Sequence, residues 1–327
     1  MATYKGVKGF TIQTIAGDPP APQLGQVWYN TTSNVLKGYL TATAAWSSGG
    51  NLNEPKRGVI GIGSQTAALC CGGNNAGPIT TNVEEYNGSA WTEITNMGTP
   101  RYVGFNAGTA TAGLTGGGVD GYQPPALSNV EEYNGSTWSE VNNLGAAGYK
   151  FLMGVGTQTA ALAVAGRLGP GSGVTDVVDE YDGTSWTETT VVNTARQEGG
   201  ASGSTTAALA VGGMPGTLGV TEEFNGTTWT EKADLNTARG IGGSAFQAPN
   251  ATTLYFGGYP HTTLTELWDG TSWTETADMG SPSQSVGGTG NATAALSIGG
   301  EPASPAFSNK TEEWSGGGDT VVTFTSS

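Results

Sequence analysis

Eight residues, "EEYNGSTW" (131–138), recur along the chain in near copies: "EEYNGSAW" (84–91), "DEYDGTSW" (179–186), "EEFNGTTW" (222–229) and "ELWDGTSW" (266–273). A sixth, "EEWSGGGD" (312–319), begins alike and then diverges. Trp46, Trp91, Trp138, Trp186, Trp229 and Trp273 are spaced by 45, 47, 48, 43 and 44 residues. Between them runs an apolar segment ending in glycine, as in "TAALCCGG" (66–73), "TAGLTGGG" (111–118) and "TAALAVGG" (206–213). A short linker such as "VNTAR" (192–196) or "LNTAR" (235–239) leads into the next unit. A period of this length fixes the class of fold before any single residue is interpreted.

Each unit reads as four short strands: a glycine-rich one, the "TAAL" strand, "VEEY", and a strand opening on tryptophan. The Asn-Gly or Asp-Gly between the last two predicts a tight type I′ hairpin. One four-stranded sheet cannot bury both its faces, so neighbouring units must cover them. Four strands in 40–50 residues predict an all-β fold, a β-propeller. Small residues fall where strands crowd an axis. Aromatic ones fall where blades diverge, and Tyr86, Trp91, Tyr133, Trp138, Tyr181, Trp186, Phe224, Trp229, Trp268 and Trp273 are expected to fill the interfaces between blades.

The double glycine, the aromatic after an acidic pair and the tryptophan five residues later resemble the kelch family, six times over residues 58–327. That resemblance implies four-stranded kelch-like blades at approximately 58–101, 102–149, 150–196, 197–239, 240–284 and 285–327. The low charge, the "TAAL" strands and the leader "GQVWYNTTSNVLKGY" (25–39) also resemble kelch-like structural proteins of tailed bacteriophages, particularly those of marine cyanobacterial hosts. Residues 25–57 read as a degenerate seventh blade, with "TVVTFTSS" supplying the fourth strand of the last repeat. The alternative has six blades, closed by the Trp46 strand. Residues 1–24, with Pro19, Pro20 and Pro22, read as an extended anchoring arm.

Twelve Lys and Arg against 27 Asp and Glu give a net charge of −15, which argues against nucleic acid and anionic membranes as partners. No stretch has the length of a membrane span or a signal-peptide core, so membrane insertion is not expected. The only cysteines, Cys70 and Cys71, are adjacent and read as free buried thiols.

Chemistry is sparse. His261 is the sole histidine and lies near no nucleophile motif, which leaves no material for a catalytic triad or a copper or zinc site. The acids Glu84, Glu131, Asp179, Glu222, Glu266 and Glu312 recur at one position per unit. That symmetry suits architecture better than the paired carboxylates of a glycosidase. They are expected to pair with the linker arginines Arg57, Arg101, Arg196 and Arg239, or with backbone N–H groups. The sequons at Asn87, Asn134 and Asn225 read as hairpin turns. No catalytic residue, metal or cofactor is expected.

The segments between strands two and three vary in length and carry Tyr122, Tyr259, His261 and Phe307, candidate binding residues on one loop face. The expected function is a non-enzymatic virion structural protein, a fibre, appendage or decoration component present in multiple copies. Its arm would hold other virion proteins and its loops a host-surface glycan or a protein. The alternatives are a bacterial carbohydrate-binding or adhesion propeller and a polysaccharide-degrading enzyme.

Overall fold

The computed structural model describes residues 12–121, 126–145, 149–169, 173–304 and 307–324. The chain forms two units, residues 45–315 and a smaller one of residues 1–44 with 316–327.

Among the described residues the larger unit contains six antiparallel sheets with the strand order that the repeat predicts. The first blade is Ile60–Ser64, Ala67–Cys71, Val83–Tyr86 and Trp91–Glu93. The second runs from Phe105–Thr109 to Trp138–Val141, and the fourth from Gly200–Ser204 to Trp229–Glu231. The third adds Tyr149–Lys150 against the far end of Ala160–Leu168. The fifth has an inner strand of two residues, Gly243–Ser244. In the sixth, Gly287–Asn291, Ala294–Ile298 and Thr311–Ser315 are completed by Ala45–Ser48, with Trp314 opposite Trp46.

The inner strands pack in cyclic order and the sixth returns to the first. A closed chain of backbone hydrogen bonds marks the same ring. The N–H of Gly58 donates to Ser285, Val103 to Gly58, Phe151 to Val103, Glu198 to Phe151, Ile241 to Glu198 and Ser285 to Ile241, at 2.6–3.1 Å. All six residues have φ between 53° and 61°. For β-branched Val103 and Ile241 this left-handed backbone costs about 1–2 kcal/mol, which the closed ring offsets. At the other end of the axis Phe246 is buried beside Ile62 and Ala110, and Gln247 Nε2 donates to Gly108 O at 2.7 Å.

The cross-strand aromatic pairs sit where the spacing places them. Tyr86–Trp91, Tyr133–Trp138, Tyr181–Trp186, Phe224–Trp229 and Trp268–Trp273 have ring centroids 4.8–5.4 Å apart. Each pair packs on the preceding blade: Tyr86 and Trp91 on Leu296 and Ile298, and Trp268 and Trp273 on Leu209 and Val211. Trp138 is only partly buried, whereas the other nine residues are buried. A fully buried aromatic contributes at most roughly 4–6 kcal/mol by area, so these pairs are the main cement between blades.

Three expectations about the ends are corrected. Residues 25–57 do not build a seventh blade. Val27–Asn30 and Val35–Ala42 form a separate sheet with Gln13–Ile15 and the C-terminal strand Gly318–Phe324. The C-terminal strand therefore pairs with Val35–Ala42 rather than completing the last repeat. The physical reason is the Trp46–Trp314 contact at 5.5 Å, which restores the aromatic pair of the sixth blade; "TVVTF" has no tryptophan to offer. Residues 1–24 are not simply an extended arm, because Gln13–Ile15 pairs in parallel with Val27–Asn30 and Asp18 accepts from Asn30 Nδ2 at 2.7 Å and Lys37 Nζ at 2.9 Å. Residues 1–11 lie outside the described residues.

The hairpin turns also differ in type from the expectation. Tyr86 pairs with Trp91, leaving a four-residue loop in which only Gly88 has positive φ, at 88°. Asn87 Oδ1 instead accepts the N–H groups of Ser89 and Ala90, both at 3.0 Å. Asn134, Asp182, Asn225 and Asp269 do the same. The side chain satisfies the loop N–H groups that a two-residue turn would not expose.

Candidate functional site

Six linker residues occupy one structural position. The carbonyls of Lys56, Arg101, Tyr149, Arg196, Arg239 and Ser283 each accept an N–H from the double-glycine corner of the preceding blade, at 2.7–3.0 Å. The first residue of that corner is left-handed in every blade, with φ of 55–63°; it is glycine except at Ala165. At Gly72 an added Cβ would come within 2.3 Å of Arg101 O, which is why glycine stands there.

From this position the side chain turns into its own blade and meets the acid of strand three. Arg101 reaches Glu131 at 2.9 Å, Lys56 reaches Glu84 at 2.7 Å, and Arg196 and Arg239 reach Glu222 and Glu266. All eight side chains are buried. The linker N–H groups complete each carboxylate: Gly98 and Thr99 donate to Glu131 at 2.6 and 3.1 Å, and Asn193 and Thr194 to Glu222 at 2.6 and 3.1 Å. Arg101 Nη1 also donates to Gly117 O at 2.7 Å and Asn129 O at 3.1 Å. Each of these carboxylates is saturated, the condition under which a buried ion pair is tolerated.

One expected partner is corrected. Glu84 takes Lys56, not Arg57, because Lys56 holds the inward position; Arg57 bonds Glu301 at 2.5 Å and lies over the Phe307 ring at 5.1 Å. Among the described residues, two of the repeated acids have no cation. Asp179 lies beside the Tyr149 phenol, and its Oδ2 has no hydrogen-bond partner among the described residues. Burial raises the Asp179 carboxyl above the usual range, with the nearby charge of Glu188 adding to it. Glu312 faces Ser283 and accepts from Gly280 N at 2.6 Å. The repeat pointed to these positions; the missing cations at 149 and 283 were visible in sequence only once the linkers are aligned through the glycine corner.

The variable loops meet the linkers at one end of the blades, as the bridges Arg57–Asn74, Tyr102–Val119, Gln197–Met214, Gly240–Tyr259 and Gln284–Glu301 record. Tyr259 is 45% exposed. His261, in the same loop, is half-buried, and its Nε2 has no partner among the described residues. Phe307 is half-buried beneath Arg57, on a different blade's loop. Tyr122 lies outside the described residues. Tyr259 and His261 are thus close in chain, and Phe307 belongs to a separate wall. Burial pushes the Cys70 thiol up to about 12 and raises Cys71 as well, so neither is a nucleophile. No group of three or more His, Cys, Asp or Glu residues arranged to hold a metal occurs among the described residues.

No protein-family model matches the chain, and no curated protein matches it. Among solved structures, one described as "Structure of YjhT" superposes with a TM-score of 0.66 at 13% identity, covering 80% of this chain and 95% of that one. The likeness is one of fold: this chain is a β-propeller.

Proposed function

We propose that this propeller is a non-enzymatic binding and structural protein, a virion component whose loop face reads a host glycan or a neighbouring protein. The single observation that carries the reading is how the repeated acids are used. The carboxylates of Glu84, Glu131, Glu222 and Glu266 are each spent on a buried cation and linker N–H groups. Each ties a linker into its blade, a use that favours architecture over catalysis. The loops vary in length and sequence, and each is fastened to a linker held at one structural position, the arrangement of a rigid scaffold bearing interchangeable contacts. The virion setting rests on the resemblance of the sequence to phage structural propellers.

The smaller unit suits the anchoring role given to the arm. Ile12, Leu24, Leu40, Val321 and Phe324, all in that unit, are large apolar side chains that are 36–61% exposed. By register Leu40 and Phe324 share one face of this sheet and Val321 takes the other, and apolar side chains exposed together, as Leu40 and Phe324 are, mark contact surfaces. The test compares Leu40→Ser with Phe324→Ser against Tyr122→Ser with Tyr259→Ser, measuring incorporation into particles and adsorption to host cells. The first double variant should stay folded and fail to incorporate. The second should incorporate and adsorb poorly. The opposite pattern makes the loop face the docking surface. Release of reducing ends from a host polysaccharide, abolished by one carboxylate change, establishes an enzyme instead.

A further inference from the structure

The sixth blade has a cavity of about 320 Å³ whose walls include Glu312, Ser283, Ser297, Gly299, Phe307 and Lys310. It lies beside Ser283, at the position from which Arg101, Arg196 and Arg239 extend in their own blades.

The carboxylate that normally meets the arginine is still there. Glu312 is 8% exposed, and its Oε2 accepts from Gly280 N at 2.6 Å, as Glu131 Oε2 accepts from Gly98 N at 2.6 Å. The other oxygen is what differs. In the second, fourth and fifth blades Oε1 accepts both a guanidinium N–H and a threonine N–H. Among the described residues no donor reaches Glu312 Oε1. The carbonyl half of the arginine site also persists. Arg101 donates to the carbonyls of Gly117 and Asn129, and Arg196 to those of Gly212 and Val220. The matching carbonyls here are those of Gly299 and Lys310, paired by the same bond, Gly299 N to Lys310 O at 2.8 Å. Both residues line the cavity.

A guanidinium offers five N–H donors in one plane and no acceptor. One carboxylate edge with two carbonyls is its complement, and the fit is specific to that planar fork. We infer that this cavity receives a guanidinium group carried by a ligand, bound by Glu312 Oε1 and the carbonyls of Gly299 and Lys310. A net charge of −15 draws such cations toward the protein. Among the described residues Lys310 is the cation in the cavity wall, yet its Nζ bonds Ser281 Oγ at 2.8 Å. The third blade shows what closing the site requires: there the buried ring of Tyr149 takes the arginine's position and the acid is shortened to Asp179. The inference stands on the cavity and is independent of the virion reading.

The guanidinium could belong to a small molecule or to an arginine side chain of a partner. Titration calorimetry with agmatine and with a capped Gly-Arg-Gly peptide separates the two; the capped Gly-citrulline-Gly peptide is the neutral control. Both guanidinium probes should bind at one site, the tighter of them naming the source, and the citrulline peptide should not. Glu312→Gln should weaken binding at least tenfold, the scale of one lost charge-assisted hydrogen bond. Ser283→Arg, which fills the cavity from within, should abolish binding and raise Tm without any probe. The inference is overturned if the citrulline peptide binds equally, or if a folded Glu312→Gln protein titrates like the parent.

Discussion

The fourth and sixth blades come from one repeat and treat the same buried carboxylate in opposite ways. In the fourth, Glu222 is enclosed by Arg196, Asn193 N and Thr194 N. In the sixth, Glu312 keeps one linker N–H and looks into a cavity. A buried charge is costly without a partner and tolerable with one. The arginine is therefore not an ornament of the repeat: it makes the acid affordable. Where the arginine is lost, the fold either shortens the acid and covers it with a phenol, as at Asp179 and Tyr149, or leaves the acid open to an outside cation.

The largest test of this contrast is a pair of identical changes. Glu222→Gln strands the Arg196 guanidinium in the interior and should cost roughly 3–5 kcal/mol in denaturant unfolding. Glu312→Gln removes a charge that no internal cation balances, so it should be neutral or stabilising. Equal losses at the two sites would erase the distinction between the blades.

A smaller effect is expected in the third blade, and it depends on pH. Burial raises the Asp179 carboxyl above its ordinary value of 3.8, so the folded protein holds that proton more tightly than the unfolded chain. Between the unfolded and the raised folded value the native state binds more protons, so stability falls as pH rises through that window and levels off above it. Asp179→Asn keeps an acceptor for Tyr149 and has no charge to bury. It should flatten this segment of the Tm–pH profile and gain on the order of 1 kcal/mol at neutral pH. A profile as steep as the parent's would place the titration elsewhere.

How much of this was legible beforehand varies with the physics involved. The blades were, because alternation, turn residues and aromatic spacing are local and repeat. The cross-strand pairs follow from a hairpin with fixed register, as Tyr86 opposite Trp91 shows. Ring closure was not, since "AWSS" and "TVVTF" are both plausible strands and the choice depends on Trp314 meeting Trp46 over more than 260 residues of chain. Lys56 against Arg57 could not be decided without the backbone, because adjacent strand-like residues point to opposite sides. The cavity was invisible for a related reason. A serine in a linker says nothing until the glycine corner shows which neighbour's arginine it replaces.

The smallest prediction carries the comparison of blades to the indole nitrogens. Trp91, Trp273 and Trp46 donate Nε1–H to the hydroxyls of Thr311, Thr221 and Thr265, the residue before the strand-three acid of the preceding blade, at 2.8–2.9 Å. In the first three blades that residue is Val83, Val130 or Val178. The consequence is visible: Trp138 and Trp186, packed with Val83 and Val130, have buried Nε1 atoms without a partner among the described residues. Trp229, packed with Val178, escapes by donating to Thr190 O at 3.0 Å. Val130→Thr is nearly isosteric and supplies the missing acceptor, so it should be neutral or stabilising by about 1 kcal/mol. Val178→Thr buries a hydroxyl beside an indole already satisfied, and should cost about 1–3 kcal/mol. Denaturant unfolding of the two single variants and the double variant measures the difference. Equal destabilisation by both would mean that the Thr–Trp bonds of the other blades are incidental contacts rather than a device that the first three blades lack.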